Sequence, residues 1–204
     1  MSSSSRPLRV VGVAGSVTDP SRTTALVDAI ITSFGEHLPI ERHTIKLNTL
    51  GPLLGGSLTR QSLPPEAEEE IQRIENADLL VVGTPVYRAS FTGLFKHLFD
   101  FVDQYALVET PVLLSATGGS ERHALIIGHQ LRPLFDFFQS LTLPVGVYAQ
   151  DSDFTNYVIS NEQVTERIQK AVSRALPLVR SSFAEKEAVE LTLAGESSED
   201  YPEN

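Results

Sequence analysis

Apolar residues along the chain fall into two alternating rhythms. Short runs of Val, Leu and Ala in "LRVVGVAG" (8–15), "HTIKL" (43–47), "DLLVVGTP" (78–85), "PVLLSATG" (111–118) and "LPVGVYAQ" (143–150) predict five strands. Several are continuous rather than alternating, as expected of strands covered on both sheet faces. Between them, helical periodicity predicts helices over 21–34, 65–76, 92–103, 121–140 and 161–179. Residues 48–64, "NTLGPLLGGSLTRQSLP", show neither rhythm and predict a long surface loop that packs on a neighbour or rims a site.

Five βα units in succession give an α/β fold with a parallel sheet between two helical layers. Five strands suit the flavodoxin-like order 2-1-3-4-5, in a three-layer sandwich. Its ligand site lies beyond the carboxyl ends of the strands, at the switch point. Residues 8–180 then form one domain, which a chain of 204 residues accommodates. Residues 1–7 are expected to be disordered. So is 181–204, an acidic tail: its last twenty residues hold seven acids and one Lys, −6 of the net −10.

This charge balance, with no basic stripe, argues against nucleic acid as a partner. No cysteine is present, so disulfides, thiolate catalysis and Cys-ligated metals are excluded. The first apolar run is short and broken by Gly12, so it reads as a strand and not as a signal peptide. No run approaches the ~18 apolar residues of a membrane span. The expected setting is cytoplasmic, without membrane partners.

The topology places chemistry after strands 1, 3 and 4, and all three turns are unusual. After strand 1 comes "GSVTDPSRTT" (15–24). Ser21 is a candidate N-cap, and the hydroxyls of Ser16, Ser21 and Thr23 with the Arg22 guanidinium suit a phosphate at a helix start. The alternative is a capped helix with a solvated arginine. Neither the triphosphate-loop pattern nor G-x-G-x-x-G is present.

After strand 3, "GTPVYRASFTG" (83–93) offers Pro85, which holds Thr84 extended, and the flat face of Tyr87. The small residues Ala89, Ser90 and Gly93 allow close approach. Such a loop suits a planar ring, or is a turn with a packed tyrosine. After strand 4, "ATGGSERH" (116–123) carries Thr117 and Ser120 hydroxyls around Gly118-Gly119, a pair that permits positive φ and leaves N–H donors unshielded. Taken singly these turns have ordinary explanations; together they make a mononucleotide site.

"GSVTDPSRTTAL", "TPVYRASFTGLFKHLFD" and "ATGGSERHALIIGHQLRPLF" resemble the NAD(P)H-dependent FMN reductases, particularly the reductase partners of two-component sulfonate monooxygenases. The likeness spans about residues 8–180. It implies a flavodoxin-like fold and FMN reduction by NADH or NADPH, with reduced flavin passed to a monooxygenase. By position, Ser16, Ser21, Arg22 and Thr23 would hold the phosphate, and Pro85, Val86 and Tyr87 would flank the ring. Thr117, Gly118 and Gly119 would contact its polar edge. Rival readings are a quinone or azo reductase with permanently bound FMN, and a non-enzymatic flavodoxin-type carrier.

The fourth predicted helix contains Pro133, which cannot donate to the carbonyl of His129 four residues back; Gly128 weakens the same turn. A local π-turn is expected there, a feature found at functional sites. The resemblance implies an inserted residue at this place, and a histidine there points to the methanesulfonate or methanesulfinate branch. The expected effect is looser flavin binding, so that FMN behaves as a substrate. His97 and Asp100 have helical metal spacing, but two residues make no site, and no metal is expected.

Seven of ten phenylalanines lie between 91 and 138, on more than one side of their helices. That distribution predicts pairing of these helices across a subunit interface, and the resemblance likewise implies a homodimer or homotetramer.

Overall fold

The computed structural model describes residues 6–196. Strand β1 (Leu8–Ala14) leads into α1 (Arg22–Gly35), then β2 (Ile40–Lys46), α2 (Leu47–Leu54) and α3 (Pro65–Glu75). β3 (Leu79–Pro85), α4 (Gly93–Phe99) and β4 (Pro111–Gly118) follow. After them come α5 (Arg132–Phe137), β5 (Leu141–Thr142), β6 (Val147–Gln150), a small hairpin of β7 (Phe154–Thr155) and β8 (Val158–Ile159), and α6 (Glu162–Glu196). The main sheet runs β2-β1-β3-β4-β5, with β6 also paired to β4, and its ladders are parallel. This is the flavodoxin-like order expected from the sequence.

Alternate residues of the central strands feed two cores. Val11, Val13, Leu80 and Val82 point to the layer of α2, α3, α4 and α5, and Val10, Leu79 and Val81 to that of α1 and α6. The fifth predicted strand is split. β5 pairs with the start of β4 and β6 with its end, because Pro144 has no N–H to donate between them. At the same break, a side chain on Gly146 would lie 2.7 Å from Ile127, so the missing Cβ lets the preceding segment pack down.

Four expectations are corrected here. The predicted loop at 48–64 begins inside a helix: Leu47, Leu50 and Leu54 are buried at helical spacing despite Pro52. The second strand starts at Ile40 rather than His43.

The phenylalanines are mostly consumed inside the chain. Phe95, Phe99, Phe135 and Phe138 are buried in one cluster, with ring centroids of Phe99 and Phe135 5.0 Å apart at 81°. Edge contacts of this kind add about 0.5–1.5 kcal/mol beyond burial. α2, unforeseen, contributes to the same core; Phe137 stays 63% exposed.

The expected disordered termini are the remaining correction, as far as they are described. α6 continues to Glu196, and Arg6 and Pro7 are placed. The cause is a charge cluster at the amino ends of the strands. The Asp78 carboxylate is fully buried and receives Arg6 and Arg9 (3.1 Å for Arg9 Nη2), with Lys186 of α6 at 3.3 Å. Glu190, counted as solvated in the sequence, pairs with both Arg6 and Arg9. Residues 1–5 and 197–204 lie outside the described residues.

Candidate active site

The carboxyl ends of β1, β3 and β4 open into one cleft of about 250 Å³. The ten residues assigned to the ligand line it: Ser16, Ser21, Arg22 and Thr23 from the first loop, Pro85, Val86 and Tyr87 from the second, Thr117, Gly118 and Gly119 from the third. Ala89, Ser90, Gly93 and Ser120, also picked out in these loops, are not part of the lining.

In the first loop Ser21 is the N-cap of α1, and its hydroxyl oxygen accepts the Thr24 N–H at 3.2 Å. The Ala25 N–H goes to the Ser21 carbonyl. Among the described residues no acceptor meets the N–H groups of Arg22 and Thr23, which leaves them for an anion at the positive end of the helix. The Ser16 hydroxyl is spent within its own loop, donating to the Thr18 carbonyl at 3.1 Å. The loop entrance is pinned on both sides of Gly15. Its N–H donates to the Gly83 carbonyl at 2.7 Å, and its carbonyl accepts the Thr92 hydroxyl at 3.0 Å.

The second loop is a tight reversal. The Tyr87 N–H donates to Ser90 (2.9 Å) and the Ser90 N–H to Tyr87 (3.1 Å), with Arg88 and Ala89 at φ of 50° and 68°. Tyr87 is 47% exposed at the rim, so an apolar face stands open to the cleft. The Val86 N–H extends the ladder past the strand end by donating to the Thr117 carbonyl at 2.8 Å. Ser90 reaches Gln130 at 3.1 Å.

Among the described residues no glycine has positive φ, so the conformational role expected for Gly118-Gly119 is corrected; at Gly118 the demand is steric. A Cβ on Gly118 would stand 2.6 Å from the Tyr148 hydroxyl, whose proton is committed to the Ser120 carbonyl at 2.6 Å. Gly119 faces open space. Its N–H and that of Ser120 have no acceptor among the described residues, as the sequence led one to expect of this turn.

The sequence reading missed Thr18, Pro20, Asp151 and Tyr157, which complete the lining. Asp151 follows β6 and lies 3.5 Å from Arg22, and the β7–β8 turn lays the Tyr157 ring 5.4 Å from the same guanidinium. The signal available was "FTNYVI", two short β-prone pairs about an Asn.

Gly128 and His129 fall in a π-turn, Ile127–Leu131, where the Arg132 N–H donates five residues back to Ile127. Pro133 follows in the first turn of α5, so its missing N–H comes just after the widened turn. The 121–140 helix is therefore three pieces, beginning with a 3₁₀ turn at Glu121–His123. His129 is exposed and is not in the cleft lining; a hydrogen bond from the Ser90 hydroxyl to Gln130 links this turn to the second loop.

A larger cleft, about 580 Å³, lies between the π-turn and α6. Its two arginines are spent on the sheet edge: Arg132 on Thr142 and Leu143, and Arg167 on the Tyr148 carbonyl. No group of three or more His, Asp or Glu suited to a metal occurs among the described residues, and no described helix is long and apolar enough to cross a membrane.

The residues present fit a flavin mononucleotide in kind: an arginine and open helix N–H groups for a phosphate, an apolar wall for a ring, and open backbone donors for ring carbonyls. The family model described as NADPH-dependent FMN reductase matches residues 8–155. The chain belongs to that family. As an FMN reductase it is an oxidoreductase whose cofactors are FMN and a nicotinamide nucleotide. Similar proteins include the NADH-dependent FMN reductase SfnF of Pseudomonas fluorescens, 56% identical over 85% of this chain and 93% of that one. An FMN reductase (NADPH) of Pseudomonas aeruginosa is 52% identical over 84% and 92%. Among solved structures, an oxidoreductase of Corynebacterium diphtheriae superposes with a TM-score of 0.78 at 31% identity, covering 87% of this FMN reductase and 99% of its own chain.

Proposed function

We propose that this FMN reductase uses NADH or NADPH to reduce FMN that binds and leaves, and that the reduced flavin serves a partner monooxygenase acting on a sulfonate or sulfinate. The observation that carries the reading is the convergence of three loops, each after its own strand, on one cleft with an anion end and a ring end. The 56% identity to a protein named as an NADH-dependent FMN reductase supports the nicotinamide-to-flavin step.

Bound FMN supplies the ring that accepts a hydride from the nicotinamide. The chain's part is binding and orientation. Arg22, the Arg22 and Thr23 N–H groups and the Ser21 hydroxyl hold the phosphate, and Ser16 shapes the loop around it. Pro85, Val86 and Tyr87 form the wall against the ring. Thr117, Gly118 and the Gly119 N–H meet its polar edge. No acid–base or nucleophilic side chain is assigned, since stacked rings need none.

The π-turn acts on this wall through Gln130 and Ser90, and it keeps flavin binding loose. Two or four chains assemble through the face that carries Leu125, just before the π-turn, and Phe137, at the end of α5, both exposed, and the protein works in the cytoplasm.

The test is nucleotide oxidation by purified protein with FMN titrated from zero. A colourless protein, inactive alone, whose rate saturates with added FMN supports the proposal. A yellow protein indifferent to added FMN overturns it in favour of a quinone or azo reductase; tight flavin without NADH or NADPH oxidation would instead mark an electron carrier.

A further inference from the structure

Both groups that hold the Arg22 guanidinium come from one short segment, residues 151–157. Arg22 Nη1 stands 3.5 Å from Asp151 Oδ1, and the Tyr157 ring packs beside it. The segment is itself well fixed. The buried Asp153 carboxylate accepts the Gln150 N–H at 2.8 Å and the Asn161 side-chain amide at 2.7 Å, and Phe154 is buried beside them. The hairpin turns through Asn156 and Tyr157 at φ of 49° and 64°.

The Arg22–Asp151 pair is poorly suited to stabilising the fold. Its partners are 40% and 56% exposed, and such pairs contribute little. A separation of 3.5 Å is an ion pair but exceeds the 2.7–3.2 Å of a good hydrogen bond. Among the described residues no other carboxylate pairs with Arg22. Both members line the cleft, so the consequence of the pair falls on what binds there.

We infer that Asp151 is a built-in competitor for the FMN phosphate at Arg22. This rests on the reading that Arg22 takes that phosphate. A dianion arriving on the guanidinium must share it with the carboxylate or displace it, and in either case two like charges come close. The repulsion is softened by solvent and salt but acts on every bound flavin. In a protein that keeps its flavin this would be a defect. In one whose flavin departs each cycle it shortens the bound lifetime, the step in which most affinity differences between related complexes reside.

The experiment titrates the full-length protein and its Asp151→Asn and Asp151→Ala variants with FMN and with riboflavin, the phosphate-free ring, by quenching of flavin fluorescence. FMN dissociation is followed by stopped flow. Both variants should bind FMN about tenfold more tightly and release it correspondingly more slowly, with riboflavin affinity unchanged. Agreement between Asn and Ala separates lost repulsion from a new amide hydrogen bond; a gain confined to Asn overturns the proposal. Unchanged or weaker FMN binding in the variants also overturns it, as does a gain shared equally by riboflavin. An unmutated protein that binds riboflavin as tightly as FMN would instead remove the phosphate reading beneath it.

Discussion

Thr23 and Thr117 are 94 positions apart, yet their hydroxyl oxygens lie 2.6 Å from each other, both side chains buried. The bond ties the first turn of α1 to the end of β4, and so joins the end of the cleft proposed for the phosphate to the edge proposed for the ring. Thr117→Val leaves a lone buried hydroxyl on Thr23 and should cost about 1–3 kcal/mol. The double variant Thr23→Val/Thr117→Val should cost less than the sum of the two single changes. Urea unfolding of all four proteins measures the coupling; strict additivity would mean the hydroxyls do not interact.

Arg22→Ala should lower FMN affinity by about 10–100-fold, the range of a lost charge-assisted phosphate contact. Riboflavin affinity and the rate at saturating FMN should hold nearly constant. Steady-state kinetics with both flavins checks this, and equal FMN affinity in the variant would remove Arg22 from the site.

Deleting His129 should restore ordinary helical spacing between Ile127 and Arg132, whose N–H now reaches five residues back. The resulting shift of Gln130 against Ser90 should tighten the ring side, so that the protein retains flavin through purification. Absorbance near the flavin bands after desalting gives the answer. A colourless deletion variant of normal activity speaks against the π-turn having this role.

Burial alone would push the Asp78 carboxyl up. Hydrogen bonds from the Arg6 and Arg9 side chains and from the Arg9 N–H, with the Lys186 charge, outweigh it and hold the group well below the usual carboxylate range. A depressed folded-state value gives stability that is present above the unfolded value, near 3.9, and lost as pH falls towards the folded one. Asp78→Asn should cost about 3 kcal/mol at neutral pH, the low end for a broken buried pair because its arginines can rehydrate. Its unfolding midpoint should also fall less than the parent's between about pH 5 and pH 3. Parallel pH dependence in the two proteins would assign the acid sensitivity elsewhere.

The strands and the three loops were legible because each apolar run stops abruptly in Gly, Ser, Thr or Pro at the point where the chain leaves the sheet. Val81 and Val82 are followed by Gly83-Thr84-Pro85, and Leu113 and Leu114 lead to Thr117-Gly118. α2 was hidden for the opposite reason. Its Leu47, Leu50 and Leu54 keep helical spacing, but Gly51-Pro52 reads as a break, and only packing against the Phe95 cluster makes the helix worth forming. Asp151 and Tyr157 escaped notice because their role depends on where β6 delivers them, opposite Arg22, and no local pattern encodes that meeting. The acidic end of α6 misled because Glu190 finds Arg6 and Arg9, partners more than 180 positions away.

The two walls of the cleft run on different clocks. Gly15 is gripped at its N–H by the Gly83 carbonyl and at its carbonyl by Thr92, so its amide should exchange with solvent only when the sheet itself opens. The Tyr87–Ser90 reversal is closed by its own pair of bonds and by one exposed contact to Gln130, so the amides of Arg88 and Ala89 should exchange far sooner. On the assignment proposed above, the stiff wall holds phosphate and the pliant wall holds the ring. The ring should then lift first, and the phosphate should be the last part to go.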